Sequence, residues 1–482
     1  MENSFIGIDV GTQGARAVLL DSRGGVAGEK EQAFLLDDRS REEQSPHIWW
    51  EACKSILEAL VADAGKNIDL RGLKAISVTS TSGTVIPLDK YNEPLHDALM
   101  YSDKRSEEVA AECQEAAIQY FGENPAYTNF NASSGLCKMV WYVKHFPSKV
   151  SRINKWVHAA DFILGKLYGN FTVTDETNGL KSGYDIFTRS WPDYLYKKLP
   201  LKKDWLPKVV QSGTPTAFLD PSLAHRLNLP RNVRVVAGMT DGCASQVASG
   251  AAYPGDWNTT IGTTLVIKGV TTRPIIDPYG RIYNHRHPEG YFMPGGASNT
   301  GADWITKRFG NRLEYLNQMA AQLYPTGKMA WPLLQEGERF PFIAGEARGF
   351  EPFGASREEL FTANMEGVAY IERYAYEIIE QLSGEKVKAI YTAGGGSNSA
   401  AWLAIRSCVS KLPVYRMKHV SGAVGAAIVA SSHTCFHSLS EAVKALTQVE
   451  KRIDPQEAIA NQYDAYYKQF INTLKKRGYI KN

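Results

Sequence analysis

Apolar and polar positions alternate over Phe5 to Asp21, FIGIDVGTQGARAVLLD, in two runs joined by Gly11-Thr12-Gln13-Gly14. That period predicts a glycine-turned β-hairpin. The arrangement recurs past the midpoint of the chain, where Asn258 to Ile267 reads as strand, turn at Gly262-Thr263-Thr264, strand. Between the two lies a short apolar run, Val233 to Val236, that ends in Gly238 and Thr240-Asp241-Gly242. It predicts a buried strand delivering a carboxylate to a tight turn, followed by a small-residue helix from Ala244 to Ala252.

The remaining pattern alternates strands with helices. Ser45 is placed to cap a helix from Pro46 to about Ala62, on which Trp49, Ala52, Ile56 and Leu60 recur at helical spacing. Leu73 to Val78 is a strand that runs into Thr79-Ser80-Thr81-Ser82-Gly83-Thr84, and Tyr101-Ser102-Asp103-Lys104-Arg105 ends a further short apolar piece. Ala126 to Ala160 reads as largely helical, and Trp191 to Leu229, rich in Pro and Lys, as surface helices and loops. Arg357 to Leu382 is a long helix; Val387 to Ala393 is a strand entering Gly394-Gly395-Gly396-Ser397-Asn398-Ser399 and the helix Ala400 to Ser410. Pro413 to Arg416 is one more strand, and Gly422 to Ser431 a small-residue helix suited to close packing.

Composition narrows the picture by exclusion. With 482 residues, 44% hydrophobic, 22% charged and a net charge of +3, the chain is long enough for two cores and carries no excess charge pointing to nucleic acid. No run approaches the ~18 apolar residues of a membrane span, and no leader is visible after Met1. Six scattered cysteines without a CxxC point to reduced thiols and a cytoplasmic setting. No low-complexity linker appears, so domains that pack on each other are expected.

Several chemistries drop out. Gly327-Lys328 lacks the rest of a P-loop, the glycine stretch at 394–396 does not complete GxGxxG, there is no GxSxG, and His285 and His287 have no third ligand nearby. What remains is acids and glycine turns spread over the whole chain. Small residues and hydroxyls at the two hairpin tips leave backbone N–H groups open to phosphate oxygens. Three glycines at the start of a helix offer a third place for close approach of an anion. The hairpins are read either as unrelated elements with similar turns or as a duplication presenting two phosphate-binding tips across a cleft. The hydroxyl-rich stretch at 79–84 and the charged turn at 102–105 serve local backbone groups or a bound polyol.

Taken together, Gly7-Ile8-Asp9-Val10-Gly11-Thr12, Thr240-Asp241-Gly242, Ile261-Gly262-Thr263-Thr264, Thr392-Ala393-Gly394-Gly395-Gly396 and Phe353-Gly354 with Leu360, Phe361, Ala363, Met365, Glu366 and Gly367 resemble, in order, the motifs of the FGGY carbohydrate kinases. The resemblance implies an α/β fold of two ribonuclease-H-like domains, residues 1–245 and 246–482, related to actin and the hexokinases, each with a mixed five-stranded sheet, and an interdomain cleft taking ATP and sugar. It implies Asp241 as general base, Asp9 as a holder of Mg²⁺ and neighbour of the sugar, and Ser82, Asp103 and Asp241 as sugar contacts. ATP would be met by Thr12, Gln13, Gly14, Arg16, Gly262, Thr263, Thr264, Gly394, Gly395, Gly396, Asn398 and Ser399. The Gln-Met-His-Gly stretch usual in xylulokinases is replaced here by Thr79 to Gly83. Ser80 to Thr84 and Tyr101-Ser102-Asp103 resemble the D-ribulose kinases instead, with xylulokinase, another polyol kinase, or a non-sugar ATP switch of the same superfamily as the alternatives. A monomer or homodimer is expected, with no nucleic acid or membrane partner.

Overall fold

The computed structural model describes residues 2–124 and 129–480. The chain divides into two compact units, Met1–Ala248 with His285–Gly290 and His419–Thr447, and Ser249–Asn284 with Tyr291–Lys418 and Gln448–Asn482.

In the first unit the predicted hairpin is Ser4–Val10 with Gly14–Asp21, paired antiparallel from Ser4 opposite Asp21 to Val10 opposite Ala15. Leu73–Ser80 lies parallel to Ser4–Val10, with Asp9 opposite Thr79, and Arg234–Val236 lies parallel to Leu73–Ser80. Val26–Ala33 and Pro215–Phe218 close the two edges of a six-stranded mixed sheet. One face packs apolar Ile6, Ile8 and Val78 against helices Pro46–Ala64 and Ala159–Tyr168.

The other face receives the helix Gly422–Ser431, and the contact is backbone on backbone. A Cβ on Gly7 would stand 1.9 Å from the Ala423 carbonyl oxygen, and one on Gly425 would stand 1.9 Å from that of Ala244. Only residues without side chains allow this helix to be pressed between the first strand and the helix Asp241–Ala248.

The second unit repeats the plan. Asp256–Ile261 and Leu265–Gly269 form the hairpin, Phe292–Ser298 extends it antiparallel, and Ala389–Ala393 and Val414–Met417 continue it parallel. Val449–Ile453 adds an antiparallel edge. Each sheet therefore contains three antiparallel strands followed by two parallel ones in the same spatial order, the ribonuclease-H-like core. The expected five strands are this core; the edge strands are additional. Behind the second sheet, Arg357–Ser383 and Ala400–Ser410 pack around Trp257, Trp304 and Trp402.

Several local expectations are corrected. The helix after the central strand begins at Asp241 and ends at Ala248. Ser45 stands at the N-cap of its helix, but its hydroxyl makes no capping bond. The segment expected to be helical from 126 to 160 is helical over Gly135–His145 and Pro147–Val150, then turns into the strand Lys155–His158, whose β-branched and aromatic pair Trp156-Val157 joins a small sheet. Positions 126–128 lie outside the described residues.

Candidate active site

In the first unit, chain geometry brings two acids together. Asp9 occupies the last turn-facing position but one of the first strand, and Asp241 opens the helix that follows the central strand. Gly238 makes the approach possible: a Cβ there would lie 1.8 Å from the Val78 carbonyl oxygen of the neighbouring strand. Thr240 bridges to Ser80 and donates its N–H to Thr177 Oγ1 at 2.8 Å. Thr177 is in turn held by the buried Asp175, which accepts its hydroxyl at 2.6 Å and its N–H at 2.8 Å. Asp241 Oδ1 accepts the N–H of Gly242 at 2.6 Å.

Asp9 is partly accessible, yet its Oδ1 is buried without a hydrogen-bond partner, and its Oδ2 lies against the start of the helix Gly422–Ser431, 2.5 Å from where a Cβ on Gly422 would be. Burial, and then the charge of Asp241, push the Asp9 carboxyl up to about 7 against the opposing pull of Arg16. An orphaned carboxylate oxygen beside a second carboxylate is a donor set that a hard divalent cation would satisfy. Among the described residues no group of three or more His, Cys, Asp or Glu side chains is placed to hold a metal by itself.

The first hairpin tip is clamped from behind. Gln44 donates to the Thr12 and Ser40 carbonyls at 3.0 and 2.9 Å and accepts from Trp49 Nε1 at 2.9 Å, while Gln13 O accepts the N–H of Phe34 at 2.9 Å. A Cβ on Gly14 would strike the Gln32 carbonyl at 2.5 Å, so this glycine serves the sheet. Arg16 stands opposite Asp9 in the ladder, but its guanidinium bonds Glu31 at 2.6 Å and pairs with Glu29 at 3.3 Å.

The hydroxyl stretch divides its labour. Thr79 Oγ1 donates to the Met239 carbonyl at 2.7 Å, and the Thr81 and Thr84 hydroxyls bond each other at 2.9 Å. Ser82 Oγ is buried with no partner, in the turn where Gly83 adopts φ +87°. Asp103 is buried and gripped by Arg105, whose Nε and Nη2 donate to its two oxygens at 3.0 and 2.9 Å. Oδ1 also accepts the Arg105 N–H at 2.9 Å, so Oδ2 is the oxygen that keeps capacity for another donor.

In the second unit the tip at Gly262-Thr263-Thr264 closes through Gly262 N–H to Thr264 O at 3.0 Å. A Cβ on Gly262 would meet nothing within 4 Å, so space lies in front of the tip. Its back is filled: a Cβ on Gly301 would stand 2.2 Å from Thr263 O, and Ala302 donates to Gly262 O at 2.8 Å. The buried Glu338 secures this backing loop, accepting from the hydroxyls of Ser298 and Thr300 at 2.8 Å each and from Asn299 N–H at 2.6 Å. In the glycine loop, Gly394 at φ +81° and Gly396 press against Ile261, whereas Gly395 faces open space. Ser399 caps the following helix by accepting Trp402 N–H at 3.2 Å, and Asn398 ends the short 3₁₀ turn before it.

Sequence reasoning missed Gln44, Thr177 and Glu338, which back the two hairpin tips and the turn before Asp241. For Thr177 a signal existed: Asp175-Glu176-Thr177-Asn178 is an N-cap pattern, and Asp175 caps the short helix Glu176–Leu180. Gln44 and Glu338 lie in or beside loops with no periodicity.

Two family models match the chain: the N-terminal domain of the FGGY family of carbohydrate kinases over residues 4–248 and its C-terminal domain over residues 257–433. The chain belongs to the FGGY family of carbohydrate kinases. Members transfer a phosphoryl group from ATP to a sugar alcohol group, and this FGGY protein is a sugar kinase accordingly. Among its relatives, a xylulose kinase of Lactococcus lactis is 24% identical, with 98% of this chain and 97% of the relative covered. A gluconokinase of Bacillus licheniformis is also 24% identical, with 98% and 96% covered. The fold matches that of a xyloylose kinase from Brucella ovis at a TM-score of 0.86 and 23% identity, covering 99% of both chains. No helix among the described residues of this FGGY kinase is long and apolar enough to cross a membrane.

Proposed function

We propose that this FGGY kinase phosphorylates a ketopentose, D-ribulose before D-xylulose, with Asp241 as general base. The observation that carries the catalytic part is that Asp9 and Asp241 stand close enough for the charge of Asp241 to raise the Asp9 carboxyl. Asp241 takes the proton of the acceptor hydroxyl as that oxygen attacks the γ-phosphorus of ATP. Asp9, through its unpartnered Oδ1, holds Mg²⁺ directly or through water. Mg²⁺, when bound with the nucleotide, supplies neutralisation of the phosphate charge. The tips at Thr12 to Gly14 and Gly262 to Thr264 steady the phosphates, with Arg16 alongside; Gly394 to Gly396, Asn398 and Ser399 seat the nucleoside. Of the three loop glycines, Gly395 is the one with room for a ligand.

Support for the acceptor comes from Ser82, whose buried hydroxyl lacks a protein partner, and from Asp103, whose loop is tied to the turn after Ser82 by Tyr101 N–H to Thr84 Oγ1 at 3.2 Å. The two ketopentoses differ at C3, so a residue that pairs one C3 hydroxyl penalises the other by roughly 1 to 3 kcal/mol, or about 5- to 150-fold. Ser82→Ala is expected to narrow the ratio of kcat/KM between D-ribulose and D-xylulose while leaving KM for ATP unchanged. The deciding experiment is a coupled ADP-release assay over pentuloses, pentitols, glycerol and aldonates. Preference for D-xylulose or an aldonate would overturn the choice of acceptor but not the kinase; ADP release indifferent to any sugar would favour an ATP switch.

Gly262→Val tests the nucleotide side cleanly. The backbone at 262 is not left-handed and a Cβ there meets nothing, so the variant is expected to fold normally. KM for ATP should rise at least about tenfold while KM for sugar stays within twofold, because a branched side chain fills the space a phosphate needs. Unchanged ATP affinity would place the phosphates elsewhere.

The reading takes the protein to act in the cytoplasm as a monomer or homodimer; its six cysteines, none of them in a disulfide, suit a reducing compartment.

A further inference from the structure

One buried charge in the first unit has no role in the chemistry above. Lys138 lies on the helix Gly135–His145, fully buried among Leu136, Cys137, Met139 and Val140. No carboxylate is ion-paired with it among the described residues; its ammonium donates to two backbone carbonyls, Asp103 O at 3.1 Å and Ala132 O. An ammonium buried without an ion-paired carboxylate is costly, and a methionine would fill a similar volume without that cost.

The two carbonyls belong to the loops that flank the proposed acceptor subsite. The first carries Asp103. The second, around Ala132 to Ser134, also takes a bond from Ser106 Oγ at 3.2 Å and gives its Ala132 N–H to Glu107 at 2.9 Å. It abuts the turn that carries Ser82: a Cβ on Gly83 would stand 2.3 Å from Ser133 O, and one on Gly135 would meet Ser182 Oγ at 2.5 Å and Val85 at 3.0 Å. Thr84 Oγ1, next in that turn, accepts from Tyr101 N–H at 3.2 Å.

We propose that Lys138 is a positioning residue for the sugar, holding the Asp103 loop and the Ala132 loop together so that Ser82 and Asp103 keep their separation. The inference rests on the assignment of Ser82 and Asp103 to the acceptor. A distortion of these loops alters sugar binding and leaves the nucleotide elements of the second unit untouched, which distinguishes positioning from general stability.

Burial pushes the Lys138 ammonium down to about 8, with Asp103 and Cys137 supporting the charged form and Lys181 and Arg105 opposing it. Protonated, it offers three donors and a charge to the carbonyls; as pH rises through about 8 it loses one donor and the charge. KM for sugar in the parent is therefore expected to rise several-fold between pH 7 and 9.5, with KM for ATP flat.

The test is kinetics of Lys138→Met and Lys138→Gln against the parent over that pH range, with Tm alongside. Lys138→Met should raise KM for sugar about tenfold, leave kcat and KM for ATP within threefold, and lose the pH dependence of the sugar term, with Tm no lower than the parent's at pH 7. Lys138→Gln, which keeps a donor without the charge, should be intermediate and pH-independent. A sugar KM within twofold of the parent, a rise shared by the ATP KM, or an unchanged pH dependence in the folded variants would overturn the proposal. Should neither variant fold, a flat sugar KM in the parent from pH 7 to 9.5 overturns it and the several-fold rise supports it. A parent that phosphorylates no sugar refutes the functional reading itself, an outcome distinct from all of these.

Discussion

Asp241→Asn is expected to lose about 10² to 10⁴-fold in kcat for sugar phosphorylation, the usual range for removing a general base. Its fold and its ATP affinity should persist. Asn retains a side-chain oxygen able to accept the Gly242 N–H now bonded at 2.6 Å, and Thr240 remains tied to Thr177. The helix from Asp241 to Ala248 thus keeps its start. Single-turnover phosphorylation of the preferred sugar, with nucleotide binding measured separately, checks the expectation. A variant within threefold of the parent would remove Asp241 from the role of base.

Asp9→Asn carries the second large effect, and it is distinguished by its pH dependence. In the parent, burial and the Asp241 charge raise the Asp9 carboxyl to about 7, so its ionised form becomes dominant only above neutrality. Activity that needs the Asp9 carboxylate to hold Mg²⁺ should climb as pH rises through about 7. Asn abolishes that limb and should lower kcat/KM by about 10² or more at pH 8, with half-saturating Mg²⁺ shifted upward. Stability moves the other way. A carboxyl whose folded pKa exceeds its unfolded value makes the fold less stable as pH rises between the two, from about 4 toward 7. Without Mg²⁺, Asp9→Asn should therefore match the parent in Tm at pH 4 and exceed it at pH 8. Thermal unfolding at both pH values decides the point; equal Tm at pH 8 would mean that the Asp9 charge is not under strain in the protein.

Both predictions draw on positions visible in the sequence, because each acid interrupts an apolar run at a strand end. Alternation over Phe5–Asp21 and Asn258–Ile267 corresponds to real hairpins in their predicted register. The reason is local: one face of each strand is buried and a glycine-containing turn follows, so short-range pattern and tertiary environment agree. A duplication was one of two readings of the hairpins; the shared order of three antiparallel and two parallel strands became explicit only in the sheets.

The glycines show where pattern reading stops. Gly394, Gly395 and Gly396 are equivalent as a sequence signal, yet two of them exist to let the loop pack on Ile261 and only Gly395 opens to space. Asp103 looks like an exposed acid beside two bases, but Arg105 folds onto it and the pair is drawn inward with Glu43, which Arg105 also reaches at 2.7 Å. Which base an acid selects, and whether the pair is buried, depends on neighbours tens of residues away.

From sequence alone came the family motifs, the two hairpins, the acid at the end of the central strand and the small-residue character of 422–431, since all of these are consequences of side-chain period and turn chemistry within about a dozen residues. Tertiary structure decided that residues 419–447 return to the first unit, where Gly7 and Gly425 admit the helix at backbone distance. It also decided that Asp9 and Asp241 are near enough to couple, that Gln44 and Thr177 back the turns they touch in the first unit, and that Glu338 does so in the second. Such contacts join segments far apart in the chain, and no local period encodes them.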